Sequence, residues 1–202
     1  MKRLLVLSVV VLSFLTGCLT TRNGSQADNE LPSQEFRKKT IAILPVKSQQ
    51  KLSTDSATPM KKALNARIGK MVRSKLPDTT IIEQQDSLEK ISDAGKLELI
   101  DKLITGYDST GAYDKKLVSA LCSTLRSDFI LLPTLKIEQF DAVIAKTFNS
   151  SLEISMLSKT SSEPIWSGIG DFKRHGVYGL GGVENSEAAQ ELVNLSFGKL
   201  EQ

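Results

Sequence analysis

The stretch from Asp128 to Lys173 constrains the fold more than any other, because most of it alternates with a period of two. Successive side chains of a strand point to opposite faces, so this pattern suits a strand with one buried side. Phe148, Leu152, Ile154 and Met156 fall on one side, and Asn149, Ser151, Glu153 and Ser155 on the other. Trp166, Gly168 and Gly170 alternate in the same way with Ile165, Ser167 and Ile169, and Thr160 to Pro164 reads as the turn between. Ahead of both, Asp128-Phe-Ile-Leu-Leu-Pro-Thr-Leu-Lys-Ile137 is apolar on both faces in its first half, which predicts a central strand. Pro133 offers no ladder donor, so a bulge or a passage to an edge is expected there. The three strands should form an antiparallel meander with one wetter face.

The elements before and after are shorter. Thr40-Ile-Ala-Ile-Leu-Pro-Val46 reads as a buried strand. Met60, Leu64, Ile68, Met71 and Val72 recur at helical spacing, with Thr58-Pro59 as the expected start and Pro77-Asp78 as the stop. The six cations of that helix read as a solvated face. Thr79 to Glu83 is a second short strand, and Asp86 with Glu89 resembles a capping box. Leu97, Ile100, Leu103 and Ile104 continue a helical pattern closed by Gly106, and Tyr107 to Ala112 reads as a loop. Asp114 is a cap for a helix whose inner face is Leu117, Val118, Leu121, Cys122 and Leu125. Gly176 to Gly182 is a glycine-rich connection. Ser186 opens a last helix with Ala189, Leu192, Val193, Phe197 and Leu200 inward. The predicted order is β-α-β-α-α-β-β-β-α if the middle region makes two helices. The fold class is α/β (α+β), a single mixed sheet of about five strands with helices packed on it.

The amino terminus carries a different signal. Lys2 and Arg3 precede an apolar run from Leu4 to Leu15 that is shorter than the ~20 residues needed to span a bilayer. It has the length and flanks of a secretory leader. Leu15-Thr16-Gly17-Cys18 follows and resembles the lipobox of bacterial lipoproteins. That resemblance implies cleavage before Cys18, a diacylglycerol thioether on its thiol, and acylation of its amine. Two or more acyl chains give stable anchoring. Leu19 in place of aspartate implies, by resemblance to enterobacterial sorting, the outer membrane, with the protein facing the periplasm. The expected organisation is a signal peptide over 1–17, a lipidated cysteine and flexible polar tether over 18–37, and a globular domain over 38–202.

Composition agrees with one soluble domain. Removing seventeen residues of 202 leaves about 185, enough for a sizeable core. The formal charge of +3 loses Lys2 and Arg3 with the leader, so the basic balance gives no argument for nucleic acid. Of two cysteines, lipid takes Cys18, and Cys122 on its helical pattern reads as core packing.

Three passages resemble a periplasmic lipoprotein superfamily that includes the TolB amino-terminal domain, the curli secretion lipoprotein CsgG and the penicillin-binding-protein activator LpoB. They are the strand Ile41-Ala-Ile-Leu-Pro-Val46, the passage Leu117 to Leu131 with Asp128 at the family's aspartate, and Leu152-Glu-Ile-Ser-Met-Leu157 followed by Pro164-Ile-Trp-Ser167. The resemblance implies a TolB-N/CsgG-like α/β domain that acts on protein partners of the envelope. Long pore-forming insertions and a long proline-rich tether are missing from this sequence.

No catalytic constellation is legible. His175 stands beside Lys173 and Arg174 and reads as a solvated loop residue. No HxxxH or CxxC spacing suggests a metal. Gly179, Gly181 and Gly182 lack full phosphate-cradle spacing and read as a flexible connection, and Trp166 reads as core or sheet-face packing; a contact surface formed by these residues is the second reading. The expectation is a non-enzymatic protein without cofactor, anchored to the lipid bilayer through Cys18. It would work with an envelope protein partner, with a homo-oligomer as a further candidate. A binding protein for an envelope small molecule or glycan is the alternative.

Overall fold

The computed structural model describes residues 21–27, 31–48, 54–141, 145–177 and 185–198. Its strands are β1 (Thr21–Ala27), β2 (Thr40–Ile43), β3 (Lys47–Ser48), β4 (Thr80–Ile82), β5 (Phe129–Asp141), β6 (Ala145–Ser158) and β7 (Pro164–Val177). The helices are α1 (Thr54–Lys75), α2 (Gln84–Asp93), α3 (Glu98–Thr110), α4 (Lys115–Leu125) and α5 (Asn185–Ser196). One mixed sheet runs in the order β1-β7-β6-β5-β2-β4, with β3 beside the far part of β5. β2 is parallel to β4 and β5, while β5, β6, β7 and β1 pair antiparallel.

The helix layers follow from connectivity. The crossover from β2 to β4 moves one way across the sheet, and the crossover from β4 to β5 moves back. Right-handed connections therefore place α1 on one face and α2, α3 and α4 on the other. The first face buries Met60, Leu64, Ile68 and Val72 of α1 and Leu192 and Val193 of α5 against Ile41, Ile43, Leu131, Leu152, Ile154 and Met156. The second buries Ile91, Ile100, Leu103, Val118, Leu121 and Leu125 against Ala42, Leu44, Ile130, Leu132 and Leu157. Each such aliphatic side chain contributes about 1.5–3 kcal/mol by leaving water.

Asp128 pins the parallel part. The Thr40 N–H donates to Asp128 Oδ2 at 3.0 Å, and the Asp128 N–H donates back to the Thr40 carbonyl at 2.9 Å. Pro133 stays within a central strand. β2 pairing on β5 ends at Leu131 and β3 pairing begins at Thr134, so the proline falls where its neighbour has left the ladder. The irregularity expected in β5 is thus a break in the partner strand, across from Leu44-Pro45-Val46.

Two glycines of β7 set the closest packing. A Cβ on Gly168 would overlap the Ser196 carbonyl oxygen, and one on Gly170 would stand 2.5 Å from the Leu192 carbonyl oxygen. The α5 backbone therefore rides directly on the strand, and Ser196 Oγ donates to the Leu152 carbonyl at 2.9 Å.

Several expectations are corrected. The middle region makes three helices, not two. α3 continues through Gly106 to Thr110, and Gly111 in the left-handed conformation (φ 72°) caps it, so Tyr107 to Ala112 is not a loop. α1 begins at Thr54, with Pro59 inside it, and α2 begins at Gln84 before Asp86. The Asp114 carboxylate does cap α4, accepting from the Lys116 N–H at 2.7 Å. The single mixed sheet is the one expected, with seven strands among the described residues in place of about five. One of them, β1, lies in the stretch read as tether, and Phe36 from the same stretch is fully buried. Backbone pairing needs no apolar periodicity, so this strand left no trace in the hydrophobic pattern.

Candidate functional site

The leader and lipobox, Leu15, Thr16, Gly17 and Cys18, lie outside the described residues, as do Gly179, Gly181 and Gly182. Trp166 is only 4 % exposed and stacks on Phe197 with ring centroids 5.4 Å apart. It is a core residue, the packing role weighed ahead of a contact anchor for it. His175 lies in β7 opposite Thr147 and not in a loop. Cys122 is buried on the inner side of α4, where burial pushes its thiol up to about 11. A thiol so held stays protonated and is a poor nucleophile.

What the structure brings together is the half of the second sheet face that α2, α3 and α4 do not cover. There β5, β6 and β7 present their polar side in register. Lys136, Ser151 and Asp171 form one cross-strand row, Thr134, Glu153 and Ile169 the next, and Asn149 stands opposite Lys173 beyond them. Lys136 and Asp171 are exposed. Lys136, Asn149, Ser151, Asp171 and Lys173 line a depression of about 280 Å³. Among the described residues the Asn149 Oδ1 atom, buried there, has no hydrogen-bond partner.

The covered half ends in an aromatic wall. Tyr107 and Tyr113 stack with centroids 4.2 Å apart and planes 10° from parallel. The Tyr113 hydroxyl donates to Ser155 Oγ at 3.1 Å. Burial pushes the Tyr113 phenol up, further from ionising. Burial also raises the Glu153 carboxyl; Lys136 opposes the shift and Asp108 adds to it. This arrangement offers hydroxyls, an amide and charges of both signs on a rigid pleated surface. It suits polar recognition of a chain or ligand laid across the strands. Among the described residues no group of three His, Cys, Asp or Glu could hold a metal ion, and no helix is long and apolar enough to cross a membrane.

Sequence reasoning named none of these face residues as a site, although it assigned Asn149, Ser151 and Glu153 to the wetter side. The missing information was the extent of the helical layer. Alternation says which side is polar, not how far helices from elsewhere in the chain reach across it.

No protein-family model matches the sequence, and no curated protein matches it. Solved structures do. One is a lipoprotein from Neisseria meningitidis, 10% identical, over 71% of this chain and 87% of that one, with a TM-score of 0.48. Another is the PelC dodecamer from Paraburkholderia phytofirmans, 8% identical, over 90% of this chain and 100% of that one, with a TM-score of 0.44. A third is the LpoB C-terminal domain from Salmonella enterica, 15% identical, over 67% of this chain and 82% of that one, with a TM-score of 0.33. These are similarities of architecture, and no residue role or activity is carried across from them. The mixed sheet flanked by helices that the superfamily resemblance implied is the architecture observed.

Proposed function

We propose that the chain is an envelope lipoprotein, acylated at Cys18 and facing the periplasm from the outer membrane. It acts without catalysis, as an accessory or adaptor that offers the open polar face of β5, β6 and β7 to a protein partner. One observation carries the reading: Leu15-Thr16-Gly17-Cys18 stands directly behind a basic start and a short apolar run. The acyl chains fix location. Confinement to the membrane raises the effective concentration of a weak interface. The polar face supplies complementarity.

Two measurements test this. The full-length chain, expressed in a Gram-negative host with labelled palmitate, is expected to incorporate label and partition into detergent. Cys18→Ala should abolish both. Affinity capture from envelope extracts is expected to recover one stoichiometric protein that Lys136→Glu with Asp171→Lys fails to recover. Unlabelled wild-type protein sinks the anchor, and capture indifferent to the charge reversal sinks the face.

A second reading is a binding protein for an envelope small molecule or glycan. The unpartnered Asn149 Oδ1 beside the depression favours it. A non-protein molecule that co-purifies with wild type and is lost in Asn149→Ala would select this reading.

A further inference from the structure

Without β1, β7 would be the open edge of the sheet. Thr21 to Ala27 lie antiparallel along it, from Arg174 to Gly168. Their sequence, TRNGSQA, has no apolar side chain larger than a methyl group. Such a sequence has little apolar surface to offer, and the described attachment of the segment is its backbone ladder. A net backbone hydrogen bond contributes only about 0.5–1.5 kcal/mol and ordering each residue costs about 1–2 kcal/mol, so the two nearly offset and a strand held this way opens below the free energy of global unfolding.

The place of β1 in the chain gives that opening a consequence. Three steps of chain separate Cys18 from Thr21, at most about 10 Å. Among the described residues the next attachment to the body is Leu31, which packs against the first core, followed by the fully buried Phe36. Thirteen steps separate Cys18 from Leu31, a reach of about 43 Å. Pairing of β1 with β7 thus decides which of two lengths is available between acyl anchor and domain.

We propose that β1 is a latch that sets the stand-off of the domain. Docked on β7, it holds the sheet edge against the membrane that carries the Cys18 acyl chains. Released, it lets the domain and its open polar face reach a partner deeper in the periplasm. The latch rests on the acylation of Cys18 proposed above. Its occupant is the chain's own segment, not a strand from a second copy.

The test uses the full-length acylated protein in vesicles of phosphatidylethanolamine and phosphatidylglycerol that contain dansyl-labelled headgroups. Gly24 faces Asp171 across the ladder, so Gly24→Cys with Asp171→Cys can lock the latch. Cys122 stays inert because it is buried. In a second variant, Asn23→Pro with Gly24→Pro removes a ladder donor whichever of the two neighbours points at β7. Trp166, the single tryptophan, reports height by energy transfer to the dansyl groups. The locked pair should form an intramolecular disulfide and keep transfer at or above the wild-type value. The proline variant should lose at least about half the transfer, as the longer reach dictates.

A detergent-partitioning protein that forms no disulfide overturns the latch alone. So does equal transfer in the locked and proline variants. A disulfide between two copies overturns the assignment of the occupant. A protein that forms the disulfide yet partitions into water overturns the acylation reading, and the latch with it.

Discussion

The two faces of the sheet are built from the same strands and finished differently. On the first, α1 and α5 cover the sheet from β2 to β7, and glycines at 168 and 170 let the last helix settle on the backbone. On the second, three helices cover only the parallel half and stop at the Tyr107–Tyr113 wall. A covered face is specified by shape, whereas an uncovered one needs only to be soluble. Its composition is therefore free to serve recognition.

Neighbouring positions on one strand give the sharpest test of that contrast. Leu152→Ala on the covered face is expected to cost about 3 kcal/mol, and Ser151→Ala on the open face to stay within about 0.5 kcal/mol. Urea melts of both variants would read this, and equal losses would erase the distinction between the faces. Gly168→Ala should cost about 2–3 kcal/mol, because a methyl group displaces the α5 backbone and not a movable side chain. A silent substitution would mean that α5 is not seated as described. Tyr113→Phe, at the boundary between the halves, should cost about 1–2 kcal/mol by leaving the buried Ser155 hydroxyl without its donor.

The smallest effect is expected at Glu153, and it depends on pH. Its carboxyl is raised in the folded protein, chiefly by burial. The folded state thus binds its proton more tightly than the unfolded chain does. The stability linked to that proton is fully present below the unfolded pKa and is lost as pH rises through the folded one. Glu153→Gln should accordingly raise the denaturation midpoint near neutrality, with the advantage shrinking in acid. A gain of equal size at both pH values would place the effect elsewhere.

Much of the covered face could be read before any coordinates. Ile41, Ile43, Leu64, Ile68, Leu152, Ile154, Leu192 and Val193 announce their burial by spacing alone, and all are buried. What escaped has a physical reason in each case. Gly106 and Gly111 are both plausible helix stops, and only tertiary packing of Leu103 and Tyr107 selects the later one. β1 is held through its backbone, which has no sequence signature. Pro133 looks disruptive until the gap between β2 and β3 is seen opposite it. The open face was half legible: its polarity shows in the alternation, while its exposure depends on where α3 and α4 end.

The paired bonds between Thr40 and Asp128 join residues 88 positions apart. Closing so long a loop is entropically expensive, whereas β5, β6 and β7 find their partners close along the chain. The meander should therefore assemble early in refolding, with β2 slotting in after the rate-limiting barrier. In stopped-flow chevrons Asp128→Ala should then speed unfolding and leave the refolding limb in place. A slowed refolding limb would instead put the clasp within the nucleus. On this view the aspartate governs how long the native state lasts, and the antiparallel hairpins govern how quickly it is reached.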